Sequence, residues 1–117
     1  MKKILVIDDD QDISEVIQLI LEEFAYASEI VTKGEEAYQR VKKYKPDLIL
    51  LDILLSGIDG RTICKKLKNQ KTTKNIPVIM VSAHPGIEST VKECGANDFL
   101  EKPFHMNKLL KKVKKYI

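Results

Sequence analysis

Acidic residues crowd one short stretch of the chain, Asp8-Asp9-Asp10, and another acid, Asp52, closes an apolar run of its own. Ser82 ends a further apolar run, and Lys102 follows the apolar pair Phe99-Leu100 and Glu101. Carboxylates brought together repel one another, and each makes its neighbours harder to ionise. A hard divalent cation relieves that repulsion, and a ligand set made only of oxygen selects Mg²⁺ over zinc. Mg²⁺ keeps several waters and is held by one or two carboxylates plus a phosphate oxygen. An acid pair, a nucleophilic carboxylate and an incoming phosphoryl group supply that set. The Lys102 ammonium and the Ser82 hydroxyl could then neutralise and hydrogen-bond the remaining phosphoryl oxygens. The competing explanation for the acids is a solvated strand end that caps the next helix, a role that suits Asp10 or Asp12.

These groups act together only if the fold delivers them to one rim. Ile4 to Ile7 is a continuous apolar run, which reads as a buried parallel strand. Ile13, Val16, Ile17, Ile20, Leu21 and Phe24 follow at three- and four-residue steps, predicting an amphipathic helix. A second strand is expected at Ser28 to Val31, then a helix carrying Ala37, Val41 and Tyr44 and closed by Pro46. Leu48 to Leu51 forms a third strand ending at Asp52, and Asp59-Gly60 opens a helix marked by Ile63 and Leu67. A fourth strand, Val78 to Val81, ends at Ser82. A short helix follows to Cys94, with Gly95 as its cap. Phe99 and Leu100 lie in a fifth strand, and Leu109, Leu110, Val113 and Ile117 mark a last helix. Strict strand–helix alternation predicts a parallel sheet covered on both faces. In such a sheet ligands bind beyond the carboxyl ends of the strands, where Asp8, Asp52, Ser82 and Lys102 all fall.

A chain of 117 residues, 44% hydrophobic and 32% charged, suits one domain with an ordinary core. Its two cysteines, Cys64 and Cys94, fit no metal spacing and are expected to be reduced in a cytoplasmic protein. The opening Met1-Lys2-Lys3 and its short apolar run are too brief for a signal peptide or membrane span. A net charge of +3 without an arginine-rich stripe does not argue for direct nucleic-acid binding. The lysines of Lys65-Lys66-Leu67-Lys68 and Lys111-Lys112-Val113-Lys114-Lys115 are expected on solvated helix faces.

Ile4-Leu-Val-Ile-Asp-Asp-Asp10, Asp52-Ile-Leu-Leu-Ser-Gly-Ile-Asp-Gly60, Val81-Ser-Ala83 and Lys102-Pro-Phe104 together resemble the receiver domain of two-component response regulators. The resemblance spans the whole chain, with the motifs in order. It implies an α/β fold of flavodoxin-like type, a doubly wound (βα)5 sandwich whose five-stranded parallel sheet runs 2-1-3-4-5. By position, Asp52 matches the phosphoacceptor. Asp8 and Asp9 match the acid pair that holds Mg²⁺ together with Asp52 and the Leu54 backbone carbonyl. Ser82 and Lys102 match the groups that stabilise the phosphoryl. Ser82 and Phe99 match the switch pair, and His84 stands where the family tunes dephosphorylation. The Lys102–Pro103 bond is expected to be cis. The resemblance further implies a phosphoryl donor that is a sensor histidine kinase or a histidine phosphotransfer protein. It also implies a signalling role limited to the chain's own phosphorylation and dephosphorylation. Residues 1–117 are expected to form a single receiver domain with no output domain and no membrane insertion.

Three departures from the family pattern stand out. Ser56 occupies a position where proline is usual, Phe99 replaces the commoner tyrosine, and the helix after Ser82 is about two residues short, with Pro85-Gly86 at its start. A rival chemistry starts from the same acids. In a haloacid-dehalogenase-type phosphatase Asp8 would be the nucleophile and Asp10 the acid, with Ser82 and Lys102 in later motifs. That type needs further acids after the lysine, and the chain offers none beyond Glu101. It also leaves Asp52 without a role.

Overall fold

The computed structural model describes residues 1–83 and 85–117, so His84 lies outside the described residues. Strands β1 (Lys3–Ile7), β2 (Ala27–Val31), β3 (Leu48–Asp52), β6 (Val78–Ser82) and β7 (Asp98–Glu101) form one parallel sheet in the order β2-β1-β3-β6-β7. Counting only these five, the order is 2-1-3-4-5, that of a flavodoxin-like doubly wound sheet. A two-residue hairpin, β4 (Leu54–Leu55) with β5 (Ile58–Asp59), follows β3 and lies outside the expectation from sequence. Its turn needs Gly57, whose φ of 76° is left-handed.

Side-chain alternation along the strands builds two cores. Leu5, Ile7, Ile49, Leu51, Val78 and Met80 point to one face, and Ile4, Val6, Leu48, Leu50, Ile79 and Val81 to the other. Helices α2 (Ala37–Tyr44), α3 (Gly60–Lys68) and α4 (Ile87–Cys94) cover the first face through Val41, Leu67 and Ile87. Helices α1 (Gln11–Glu23) and α5 (Met106–Tyr116) cover the second through Ile17, Leu21, Leu109 and Val113. Each such buried aliphatic side chain contributes roughly 1.5–3 kcal/mol of transfer free energy. Strands buried on both faces are therefore continuous apolar runs, and the polar residues of the site stand at or just beyond their ends.

Two sequence expectations change in detail. The apolar stripe of α1 is wider than the sheet requires: Ile17 and Leu21 are buried, whereas Val16 is 56% and Phe24 43% exposed. The lysines are not uniformly solvated either. Lys68 Nζ donates to the Ile76 carbonyl (2.8 Å) and to Asn97 Oδ1 (2.7 Å), and Lys112 Nζ donates to Asp98 Oδ1 (2.7 Å). Cys64 and Cys94 are both buried, with the Cys64 Sγ 3.4 Å from the Cys94 carbonyl.

Candidate functional site

Asp8 follows β1, and its amide continues the ladder by donating to the Val31 carbonyl (3.0 Å). The next helix starts at once. Asp10 caps α1 by accepting from the Ile13 amide (3.2 Å), and the buried Ser14 Oγ donates back to the Asp10 carbonyl (2.9 Å). Asp8 Oδ1 accepts from the Asp10 amide (2.9 Å), which fixes its carboxylate at the head of the loop. Asp10 is thus used as the helix cap, and the Asp8 and Asp9 carboxylates are not.

Asp52 is the last residue of β3, beside β1 in the sheet. Its Oδ1 accepts from the Leu54 amide (3.3 Å). Behind it the chain turns so tightly that a Cβ on Gly60 would lie 2.0 Å from the Asp52 carbonyl oxygen, so only glycine fits there. Lys102 follows β7 and reaches across β6: its amide donates to the Ser82 carbonyl (3.0 Å), and its ammonium goes on to the acids. The Nζ donates to Asp8 Oδ2 at 2.7 Å and to Asp52 Oδ2 at 3.2 Å. The Lys102–Pro103 peptide bond is cis.

Asp8, Asp9 and Asp52 each bring a carboxylate oxygen within 4.8 Å of the others. Asp8 and Asp52 are 3% and 7% exposed, whereas Asp9 stands in solvent. One ammonium therefore contacts two acids of a cluster of three. Burial, then the Asp8 charge, raises the Asp52 pKa against the opposing pull of Lys102. For Lys102, burial works to lower the pKa, but the hydrogen bond and charge of Asp8, with those of Asp52, hold it above the ordinary lysine value. The donor set is all oxygen and carries excess negative charge, and these properties fit a hard divalent cation such as Mg²⁺.

Ser82 is buried at the end of β6, next to Glu101 in register. Phe99 lies in β7, half-buried against the α2–α4 core, with Lys112 Nζ 5.1 Å from its ring centroid. Leu54 begins the hairpin, its side chain 61% exposed. Ser56, marked in the sequence as a departure from proline, makes a contact that the sequence does not place. Its Oγ and amide both donate to Asp9 Oδ2, at 2.8 and 3.1 Å. The only signal was the replacement of a usual proline by a residue with two donors.

A doubly wound parallel sheet with paired acids at its switch point, reached by a lysine from beyond the intervening strand β6, is an α/β protein with an acid–lysine site at its strand ends, and its relatives define the family. The model of the response regulator receiver domain matches residues 4–114, so the chain belongs to that family. It is 38% identical over 115 residues to the alkaline phosphatase synthesis transcriptional regulatory protein PhoP of Bacillus subtilis, which covers 97% of this chain and 47% of that protein. It is 35% identical over 116 residues to the DNA-binding dual master transcriptional regulator RpaA of Synechocystis, covering 97% and 48%. The chain thus spans about half the length of these curated relatives. Among solved structures, a response regulator of Chloroflexus aurantiacus superposes with a TM-score of 0.92 at 36% identity, covering 98% and 96% of the two chains. The chemotaxis protein CheY4 of Vibrio cholerae also gives 0.92, at 28% identity and 100% and 99% coverage. Among the described residues no helix is long and apolar enough to cross a membrane.

Proposed function

We propose that Asp52 is the phosphoacceptor of this receiver domain, taking a phosphoryl group from a phosphohistidine on a partner protein. The observation that carries this reading is the shared contact of Lys102 Nζ with Asp8 and Asp52 inside a cluster of three carboxylates. One Asp52 oxygen attacks phosphorus, the P–O bond forms, the P–N bond breaks, and its electron pair returns to the partner's imidazole. Such a transfer asks little covalent chemistry of the protein beyond positioning and charge neutralisation. The Leu54 amide orients the nucleophilic carboxylate, and Lys102 is placed to neutralise charge on the transferring group. Asp8, Asp9, Asp52 and the Leu54 carbonyl would hold Mg²⁺, which supplies further charge neutralisation at the phosphoryl oxygens.

Support for a protein donor comes from the neighbouring surface. An open groove of about 540 Å³ adjoins Lys102 and is walled by Ile13, Val16, Ile20, Phe104 and Met106. This groove explains the surplus apolar width of α1 as a seat for a partner helix carrying the histidine, in a sensor kinase or a phosphotransfer protein. The output is a shift in conformation. The phosphoryl group draws the Ser82 hydroxyl inward, and Phe99 turns into the space released. In this reading residues 1–117 act as a receiver domain in the cytoplasm, and the domain's chemistry is confined to its own Asp52.

Incubation with Mg²⁺ and a small acyl phosphate, followed by intact-mass measurement, tests the assignment. The wild type gains one phosphoryl group and Asp52→Asn gains none. Label retained in Asp52→Asn, or mapped to Asp8, sinks it and returns the phosphatase alternative with Asp8 as nucleophile.

A further inference from the structure

Asp9 differs from the other two acids in having no burial to hold it. Asp8 is fixed by the Asp10 amide and Lys102, and Asp52 by the Leu54 amide and Lys102. An exposed aspartate at the mouth of a pocket would otherwise sample several rotamers, and ordering it for a cation costs conformational entropy. Here the hairpin removes that freedom. Ser56 stands at the hairpin tip beside the left-handed Gly57, and both its Oγ and its backbone amide donate to Asp9 Oδ2, across 47 positions of sequence. Two donors at 2.8 and 3.1 Å commit Oδ2 and leave the lone pairs of Oδ1 for a cation.

We propose that Ser56 is a positioning residue of the metal site, pre-orienting Asp9 so that Mg²⁺ binds without first ordering that carboxylate. The inference rests on the reading of Asp8, Asp9 and Asp52 as the Mg²⁺ site. It goes beyond that reading by adding a residue that touches neither ion nor phosphoryl. It also assigns the departure from proline a chemical consequence, because proline at this position would carry neither donor.

The substitutions form a graded series. Ser56→Thr keeps both donors, Ser56→Ala keeps only the amide, and Ser56→Pro keeps neither. Partners that orient metal ligands are typically worth roughly 10–100-fold in metal affinity. At this exposed site Ser56→Pro should weaken Mg²⁺ binding about tenfold, the lower end of that range, and Ser56→Ala, which keeps one of the two donors, about threefold, with Ser56→Thr close to wild type. Isothermal titration of the metal-free chain with MgCl₂ reads these values directly. Titration with CaCl₂ separates positioning from a structural role. Mg²⁺ demands near-ideal octahedral geometry and Ca²⁺ tolerates irregular sites, so the Ca²⁺ affinity should fall less than that for Mg²⁺. Mg²⁺ affinity that is unchanged or tighter in Ser56→Ala overturns the inference, since Ser56 would then be idle or would compete with the ion for Asp9. Equal losses for both ions, with a lower melting temperature in EDTA, overturn it too, because Ser56 would then only brace the hairpin. A wild-type chain that binds no Mg²⁺ overturns the metal reading itself, and the role of Ser56 with it.

Discussion

Two clusters of carboxylate and lysine sit at opposite ends of the same sheet, and their charge balance differs. At the carboxyl ends of the strands, Lys102 faces Asp8 and Asp52, with Asp9 alongside. At the opposite end, where β7 begins, the arithmetic is reversed. Buried Asp98 accepts from Lys112 (2.7 Å), the Tyr116 hydroxyl (2.9 Å) and the Phe99 amide (2.8 Å), with Lys115 at 3.6 Å. Burial works to raise the Asp98 pKa, but the hydrogen bonds of Lys112, Phe99 and Tyr116 overcome it and hold the carboxyl below its ordinary value. Asp52, short of partners, moves the other way. The same two residue types therefore make a brace where cations and donors are in excess. Where acids are in excess they make a site suited to a cation.

The largest effect is expected from the backbone under Asp52. Gly60→Ala would drive a Cβ against the Asp52 carbonyl, which neither strand nor helix start can yield easily. We expect a loss of roughly 3 kcal/mol or more in urea denaturation, with the Asp52 pocket disturbed as well. A loss under 1 kcal/mol would show that the β3–α3 turn gives way and that the tight closure behind Asp52 is not needed.

The brace at Asp98 comes next. Asp98→Ala strands Lys112 and leaves the Phe99 amide without its acceptor, for an expected loss of about 2–3 kcal/mol. Its pH signature has a definite sign. A carboxyl whose pKa is lowered by folding binds fewer protons folded than unfolded. Its contribution is thus complete above the ordinary value of 3.8 and is lost as pH falls through the folded pKa. Stability measured from pH 6 down to pH 2 should fall less steeply in Asp98→Asn than in wild type. Parallel acid limbs would mean that Asp98 is not the titrating brace described.

Most of the fold and half of the pocket were legible because they are written locally. Apolar runs bounded by polar or turn residues fix the inner strands β1, β3 and β6, whereas β2 and β7 carry only Ile30-Val31 and Phe99-Leu100; the polar residues at the strand ends follow from strand length. What was not legible depends on where loops land. The β4–β5 hairpin has two residues per strand, too few to show a period, and so no pattern places its tip against Asp9; the one signal is serine where proline is usual. Lys112 reads as one member of a basic run, and nothing local says that it hydrogen-bonds Asp98, with Lys115 nearby, while Lys111 and Lys114 stay in solvent. In α1, periodicity marks Val16 and Ile17 equally as apolar, and only the packed sheet decides that Ile17 is buried and Val16 is left exposed beside the site. Hydrophobic pattern reports that a residue will be covered. It does not report whether its own chain or a partner covers it.

The smallest effect is also the one that runs against ordinary expectation. Removing a buried, hydrogen-bonded charge usually destabilises a protein, but burial and the Asp8 charge together outweigh Lys102 at Asp52. A carboxyl whose pKa is raised by folding binds more protons folded than unfolded, so its ionisation subtracts from stability once the pH exceeds the ordinary value of 3.8. Asp52→Asn removes that charge, leaves Lys102 on Asp8 at 2.7 Å, and keeps an oxygen to accept from the Leu54 amide. In EDTA at neutral pH the variant should be more stable than wild type by about 1 kcal/mol in urea denaturation. The ranking should then invert with Mg²⁺, because an ion bound only by the folded state adds about 2.7 kcal/mol at a hundredfold excess over its Kd. Asp52→Asn, one acid short, gains less. A variant already less stable than wild type in EDTA would show that Lys102 satisfies Asp52 fully. The contrast between a frustrated pocket and a satisfied brace would then fail.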